Sequence, residues 1–216
     1  MLNFSSKFLT KYKFSHMNAS TRGLLICFEG LDRSGKSTQA RLLRESLEKN
    51  RGETSILRFP ERSTAVGKII DEHLNGKIKL NDEAIHVLFC TNRWEYKDHI
   101  LSELKSGKNI VLDRYAYSGC AYSAAKGLEL DWCKSADRGL PKPDIVFYIT
   151  LEETVIEKRD GFGSEIFEKV DFQRKVRKNY DSMKEDNWVS INGNKEIDEI
   201  SKEISDYVMK AAPELE

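Results

Sequence analysis

The chain has 216 residues, 39% of them hydrophobic and 10% aromatic, enough to build the core of one domain and too apolar for wholesale disorder. Its 35 basic residues are balanced by 35 acidic ones, so it lacks the basic excess of a general nucleic-acid binder. No apolar run approaches the roughly eighteen residues of a membrane span, and Cys27, Cys90, Cys120 and Cys133 stand far apart without a CxxC pair, which argues against structural zinc and disulfides and fits a reducing, cytoplasmic setting.

Residues 1–22 carry Lys7, Lys11, Lys13, His16 and Arg22, and no acidic residue precedes Glu29. Organellar transit peptides share that composition. Arginine is scarce, however, and no cleavage site is evident, so a disordered leader, or a start at Met17, is the simpler reading. From Leu24 onward apolar, β-rich runs alternate with helical patterns. Strands are expected at 24–28, 55–59, 109–113 and 144–149, with a weaker one at 188–191. Helical periodicity covers 37–50, 65–75 and 82–106, and Gly52, Gly76 and Gly107 follow as stop signals. Further helices are expected near 114–126, 164–185 and 195–211. This alternation predicts an α/β domain over 23–216, a central parallel five-stranded sheet flanked by helices.

Directly after the first strand comes Gly30-Leu31-Asp32-Arg33-Ser34-Gly35-Lys36-Ser37, which fits the phosphate-loop pattern G-x-x-x-x-G-K-[ST]. Glycines let the backbone curl so that N–H groups face phosphate oxygens, and the following helix adds its positive end. Lys36 supplies a charge to the β- and γ-phosphates, and the Ser37 hydroxyl is a Mg²⁺ ligand. The third strand ends in Asp113-Arg114. A carboxylate beside a phosphate loop commonly orients Mg²⁺, directly or through water. The bland alternative is a surface Asp113 paired with Arg114.

Phe59-Pro60-Glu61-Arg62 follows the second strand, where ligands of open α/β sheets bind. Arg62 suits a phosphate, and the Phe59–Pro60 bond is expected to be cis, re-aiming the chain at the pocket. Phe89 and Arg93, four apart on a helix, share one face. They suit a flat base and its carbonyl oxygens. Taken alone, they read more simply as a core ring under a snorkelling surface arginine.

Residues 28–39, Arg58–Thr64, Leu88-Phe89 followed by Asn92-Arg93-Trp94-Glu95, Asp113–Gly119 and Gly139–Asp144 occur in one order. This set closely resembles the eukaryotic-type thymidylate kinase family, from about Gly23 to the C-terminus. The resemblance implies a P-loop nucleoside monophosphate kinase-like fold, ATP and dTMP as substrates, Mg²⁺, and a homodimer, with neither nucleic acid nor membrane as partner. It makes Gly30, Arg33, Ser34, Gly35, Lys36, Ser37 and Thr38 the ATP cradle. Asp32 is similar to the carboxylate that holds the sugar 3′-hydroxyl. Phe89 resembles the ring stacking on thymine and Arg93 the donor to its O4. Arg62 and Arg114 resemble the arginines on the substrate phosphate. Phe59, Ser118 and Gly119 fall on the substrate side, and Tyr122 resembles an aromatic that disfavours a ribose 2′-hydroxyl.

The lid of the family resembles residues 159–168 here. Between Asp160 and Glu168 it holds no lysine or arginine, so Arg33 is the expected in-cis charge stabiliser, with Arg159 assisting at the lid's entrance. Phe167 stands where the family usually has tyrosine. Two rivals stay open at this point: a kinase of dUMP or dGMP, and a non-catalytic P-loop binding protein.

Overall fold

The computed structural model describes residues 22–152 and 170–215. Five parallel strands form one sheet in the order β2-β3-β1-β4-β5. They are β1 (Leu25–Gly30), β2 (Thr54–Arg58), β3 (Asn109–Asp113), β4 (Ile145–Thr150) and β5 (Trp188–Asn192). Every residue of β1 is buried, as its unbroken apolar run requires of a strand covered on both faces. Its side chains alternate between two layers. Ile26 and Phe28 join Leu43 and Leu47 of α1 (Lys36–Asn50) and Ile204 and Val208 of α8 (Ile197–Leu215). Leu25 and Cys27 face the other way, onto Ile100, Leu104 and Tyr115. Each fully buried leucine, isoleucine or phenylalanine contributes roughly 1.5–3 kcal/mol, so β1 is the spine of the domain.

The remaining described helices are α2 (Ala65–Leu74), α3 (Asp82–Trp94), α4 (Lys97–Lys105), α5 (Ala116–Ala125), α6 (Leu130–Ser135) and α7 (Val170–Met183). Asn81 caps α3 by accepting from the Ala84 amide at 2.8 Å, and Thr64 caps α2 through the Gly67 amide at 2.9 Å. Gly52, Gly76 and Gly107 follow their helices at φ +106°, +72° and +86°, a region costly for any residue with a Cβ.

One expectation is corrected, and two details are new. The pattern over 82–106 is two helices, not one. The Tyr96 amide bonds back to the Arg93 carbonyl at 3.1 Å, a tight three-residue turn, and the Tyr96 ring meets Phe59 edge-on at 5.7 Å. Neither glycine nor proline marks that break, because tertiary contacts impose it. The helix expected near 114–126 is α5, which begins at Ala116 because Arg114 has φ +68°. The short α6 has no counterpart among the expected elements.

The register sets Phe28 and Arg58 beside Asp113, so β1, β2 and β3 end on one edge. Chain connections leave central β1 toward both flanks. The carboxyl edge at such a switch point is where open α/β sheets bind ligands. The Phe59–Pro60 bond that follows β2 is cis, as expected.

Candidate active site

A cleft of about 550 Å³ opens at that edge. One side is lined by Arg33, Gly35, Lys36, Ser37 and Thr38, the other by Phe59, Arg62, Phe89, Arg93, Gly119 and Tyr122. Segments far apart in sequence thus share one cavity.

The loop between β1 and α1 curls as the glycine pattern requires. Gly35 sits at φ +95° and caps α1 in the left-handed region. At Gly30 a Cβ would lie 2.4 Å from the Ile149 carbonyl oxygen. Arg33 itself takes φ +58°, a conformation that costs energy for a residue with a side chain. A Cβ at Gly30 would also crowd Ser34 Oγ at 3.1 Å, and Ser34 is buried in the loop. The Lys36 ammonium lies inside it, bonded to the Leu31 carbonyl and 3.2 Å from Ser34 Oγ. Burial, then repulsion from Arg114, pulls the Lys36 ammonium down to about 7, against attraction from Asp32, Asp113 and Glu29. Ser37 Oγ donates to Asp113 Oδ2 at 2.5 Å.

Asp113 and Arg114 do not pair with each other. Asp113 is buried, holds Ser37, and has Arg58 Nε at 3.6 Å. Arg114 turns instead to Asp32, forming a short ion pair with its Oδ1, and donates from Nη1 to Ser118 Oγ at 3.1 Å. The other Asp32 oxygen accepts from Tyr122 OH at 2.7 Å and Gln173 Nε2 at 3.0 Å. Burial alone would raise the Asp32 carboxyl; Arg114, Lys36 and the two hydrogen bonds outweigh it and hold it below the usual range. Arg114 lies over the Tyr122 ring, 5.4 Å from its centroid.

Behind Arg114 stands Glu29, fully buried in β1. Its carboxylate accepts from the Tyr115 and Ser118 amides at 2.9 and 3.1 Å and from Tyr180 OH at 2.9 Å. It also takes the Ser118 hydroxyl at 2.5 Å. Because α5 begins there, the negative charge lies at a helix N-terminus, where it is favoured.

Arg93 is no snorkelling surface residue. It is 2% exposed and forks onto Asp137 through Nε and Nη2. Phe89, half-buried, lines the cleft one turn earlier. Gly119 leaves the space that the guanidinium fills, since a Cβ there would meet Arg93 Nη2 at 2.7 Å. Arg62 lines the cleft and pairs with Asp71 at 2.8 Å. Phe59 is buried and packs against Tyr96 and Tyr115. Arg159, Phe167 and the expected lid at 159–168 lie outside the described residues.

Sequence reasoning missed Glu29, Arg58, Ser123, Lys126, Asp137 and Gln173. Arg58, Ser123 and Lys126 line the cleft, while the others hold its functional side chains in place. Only Glu29 left a legible signal, a carboxylate inside an apolar strand.

A P-loop at the switch point of a five-stranded parallel sheet, facing a second pocket of arginines and aromatics, defines a nucleoside monophosphate kinase of the P-loop class. The sequence profile of the thymidylate kinase family matches residues 28–204. Thymidylate kinase of Dictyostelium discoideum is 48% identical over 186 residues, covering 85% of this chain and 84% of that protein. The Homo sapiens thymidylate kinase is 42% identical over 190 residues, covering 86% and 90%. A solved thymidylate kinase structure from Candida albicans superposes with TM-score 0.78 at 40% identity, covering 88% of this chain and 92% of that one. This chain belongs to the thymidylate kinase family.

Proposed function

We infer that the protein transfers the γ-phosphoryl group of ATP to dTMP, yielding ADP and dTDP. The observation that carries this reading is the single cleft joining the phosphate loop to the Phe89–Arg93 wall. Phosphoryl transfer needs positioning and charge stabilisation rather than a protein nucleophile. The loop amides and Lys36 hold the donor phosphates. Lys36 is kept charged when phosphates replace the water it lost on burial. Arg33 stands within the loop and stabilises charge developing on the transferred group. Arg62 and Arg114 hold the acceptor phosphate in line. Asp32, ionised and fixed by Arg114, Tyr122 and Gln173, accepts from the sugar 3′-hydroxyl. Phe89 stacks on the base, Arg93 donates to its O4, and the Tyr122 ring crowds the place of a ribose 2′-hydroxyl.

Mg²⁺ fits the residues present. Ser37 Oγ and the Asp113 carboxylate converge at 2.5 Å, and a hard oxygen pair beside a phosphate loop suits an ion whose other ligands are water and phosphate. Ser37 would bind it directly and Asp113 directly or through water. When bound it neutralises charge on the β- and γ-phosphates.

A homodimer is proposed from family membership, to be checked by light scattering. A cytoplasmic setting is proposed from the four separated cysteines, all free and buried. No helix among the described residues is long and apolar enough to cross a membrane. We further propose a leader over 1–22 and one kinase domain over 23–216. The test of function is purified protein with ATP and a panel of dTMP, dUMP, dGMP and dCMP, with and without Mg²⁺. dTMP turned over best, and only with Mg²⁺, is the expected outcome; equal or better turnover of another base overturns the assignment.

A further inference from the structure

One buried polar group near the base wall is not used by the mechanism above. His86, on α3, is fully buried. Its Nε2 lies 3.1 Å from the Cys133 carbonyl oxygen and its Nδ1 2.8 Å from Ser123 Oγ. The Cys133 carbonyl can only accept, which favours the tautomer with the ring hydrogen on Nε2 and a lone pair on Nδ1. Ser123 must then donate its own hydrogen to Nδ1. Cys90 Sγ at 3.5 Å, the Trp132 ring at 5.2 Å and the Gly119 backbone stand at the remaining sides, and the nearby Arg93 and Asp137 satisfy each other. Burial in these surroundings holds the imidazole below its ordinary range, so the neutral ring persists.

The consequence falls on the cleft, which Ser123 lines together with Arg93, Phe89 and Gly119. With its hydrogen committed backward, the Ser123 oxygen offers the cleft only lone pairs. Arg93 offers only N–H donors. The wall therefore presents one donor and one acceptor of fixed sense. A 4-oxo pyrimidine with N3–H answers that pattern with an acceptor and a donor. A 4-amino pyrimidine such as cytosine reverses both.

We propose that His86 is a positioning residue for base selection: it fixes the Ser123 hydroxyl as an acceptor, so that the wall admits 4-oxo pyrimidines and rejects 4-amino ones. This rests on reading the Phe89–Arg93 end of the cleft as the base site. The same edge occurs in guanine, so the device separates oxo from amino bases, and discrimination by ring size lies elsewhere. Sites built around committed hydrogen bonds reject a mismatched partner because buried groups are left unpaired.

The experiment is a double-mutant cycle on Ser123→Ala and His86→Leu, with His86→Gln as the conservative control. The quantity read is the ratio of kcat/KM for dTMP to that for dCMP, alongside KM for ATP and Tm. Ser123→Ala should lower the ratio about tenfold, the scale of one hydrogen bond. His86→Leu should lower it similarly, because the freed hydroxyl can turn its hydrogen into the cleft. The double variant should lower it no further than either single one. His86→Gln, whose amide can donate to Cys133 and accept from Ser123, should keep the ratio within about twofold. KM for ATP should not move. If His86→Leu does not fold, the Ser123→Ala and His86→Gln ratios decide the matter. An unchanged ratio in Ser123→Ala, equal losses on both substrates in His86→Leu, or multiplying effects in the double variant overturn the proposal while wild-type dTMP kinase activity stands. A wild type without dTMP turnover overturns the functional reading and this proposal with it.

Discussion

Arg93 and Asp137, 44 residues apart, meet as a two-pronged ion pair, Nε to Oδ1 at 3.0 Å and Nη2 to Oδ2 at 2.7 Å, with both side chains almost wholly buried. Trp94 strengthens the same junction, its indole donating to the Ala136 carbonyl at 2.9 Å. The guanidinium is therefore held in one orientation, as its proposed contact with a base requires. Pre-set geometry of this kind lowers the ordering cost of binding.

Removing one partner of a buried pair leaves an uncompensated charge. Asp137→Ala should destabilise the fold by about 3–5 kcal/mol and raise KM for dTMP more than KM for ATP. Chemical denaturation and steady-state kinetics check the two parts. Unchanged stability would show that water reaches Arg93.

Gly119→Ala tests the space beside Arg93. The added Cβ would lie 2.7 Å from Nη2 and 3.1 Å from Cζ. A free arginine would swing aside, but Asp137 holds this one. The expected cost is about 1–3 kcal/mol of strain, with KM for dTMP raised and KM for ATP unchanged. Kinetics with each substrate varied in turn will separate these effects.

Arg33→Ala should lower kcat by about 10³–10⁵ while KM for ATP changes little, since a positioned arginine acts on the transition state. Single-turnover kinetics with tight-binding ATP concentrations measure the chemical step. Near-normal turnover would remove Arg33 from the role given to it.

His86 gives a pH signature of stability. Its folded-state pKa is depressed, chiefly by burial, from the ordinary 6.5. The unfolded chain therefore binds the proton more readily. The associated stability is fully present above pH 6.5 and is lost as pH falls from there through the folded-state value. Tm of the wild type should thus fall more steeply below that point than Tm of His86→Gln. Parallel Tm profiles of the two proteins would contradict the assignment of a buried neutral ring.

Local chemistry made much of this protein legible in its sequence. The phosphate loop announces itself because only glycines tolerate φ values such as +95° at Gly35 and only a lysine and a hydroxyl serve phosphate and Mg²⁺ at that spacing. The buried strands announce themselves as apolar runs, and the helix stops as glycines. The order of several short motifs was enough to suggest the family. What sequence could not hold is any relation between distant segments. Phe89 and Arg93, read alone, favour a core ring under a surface charge, and only the arrival of Asp137 from the α6 turn makes the arginine a buried wall of the cleft. Asp113-Arg114 reads as a Mg²⁺-orienting carboxylate with an arginine in the same cleft, or, more blandly, as an ion pair of neighbours. The tertiary structure separates them, giving Asp113 to Ser37 and Arg114 to Asp32. The break at Glu95-Tyr96 carries no local signal either, because packing of Tyr96 on Phe59 decides it. Backbone conformation is governed by neighbours in the chain, whereas the partner of a buried charge is chosen by whichever segment the fold delivers within hydrogen-bonding distance.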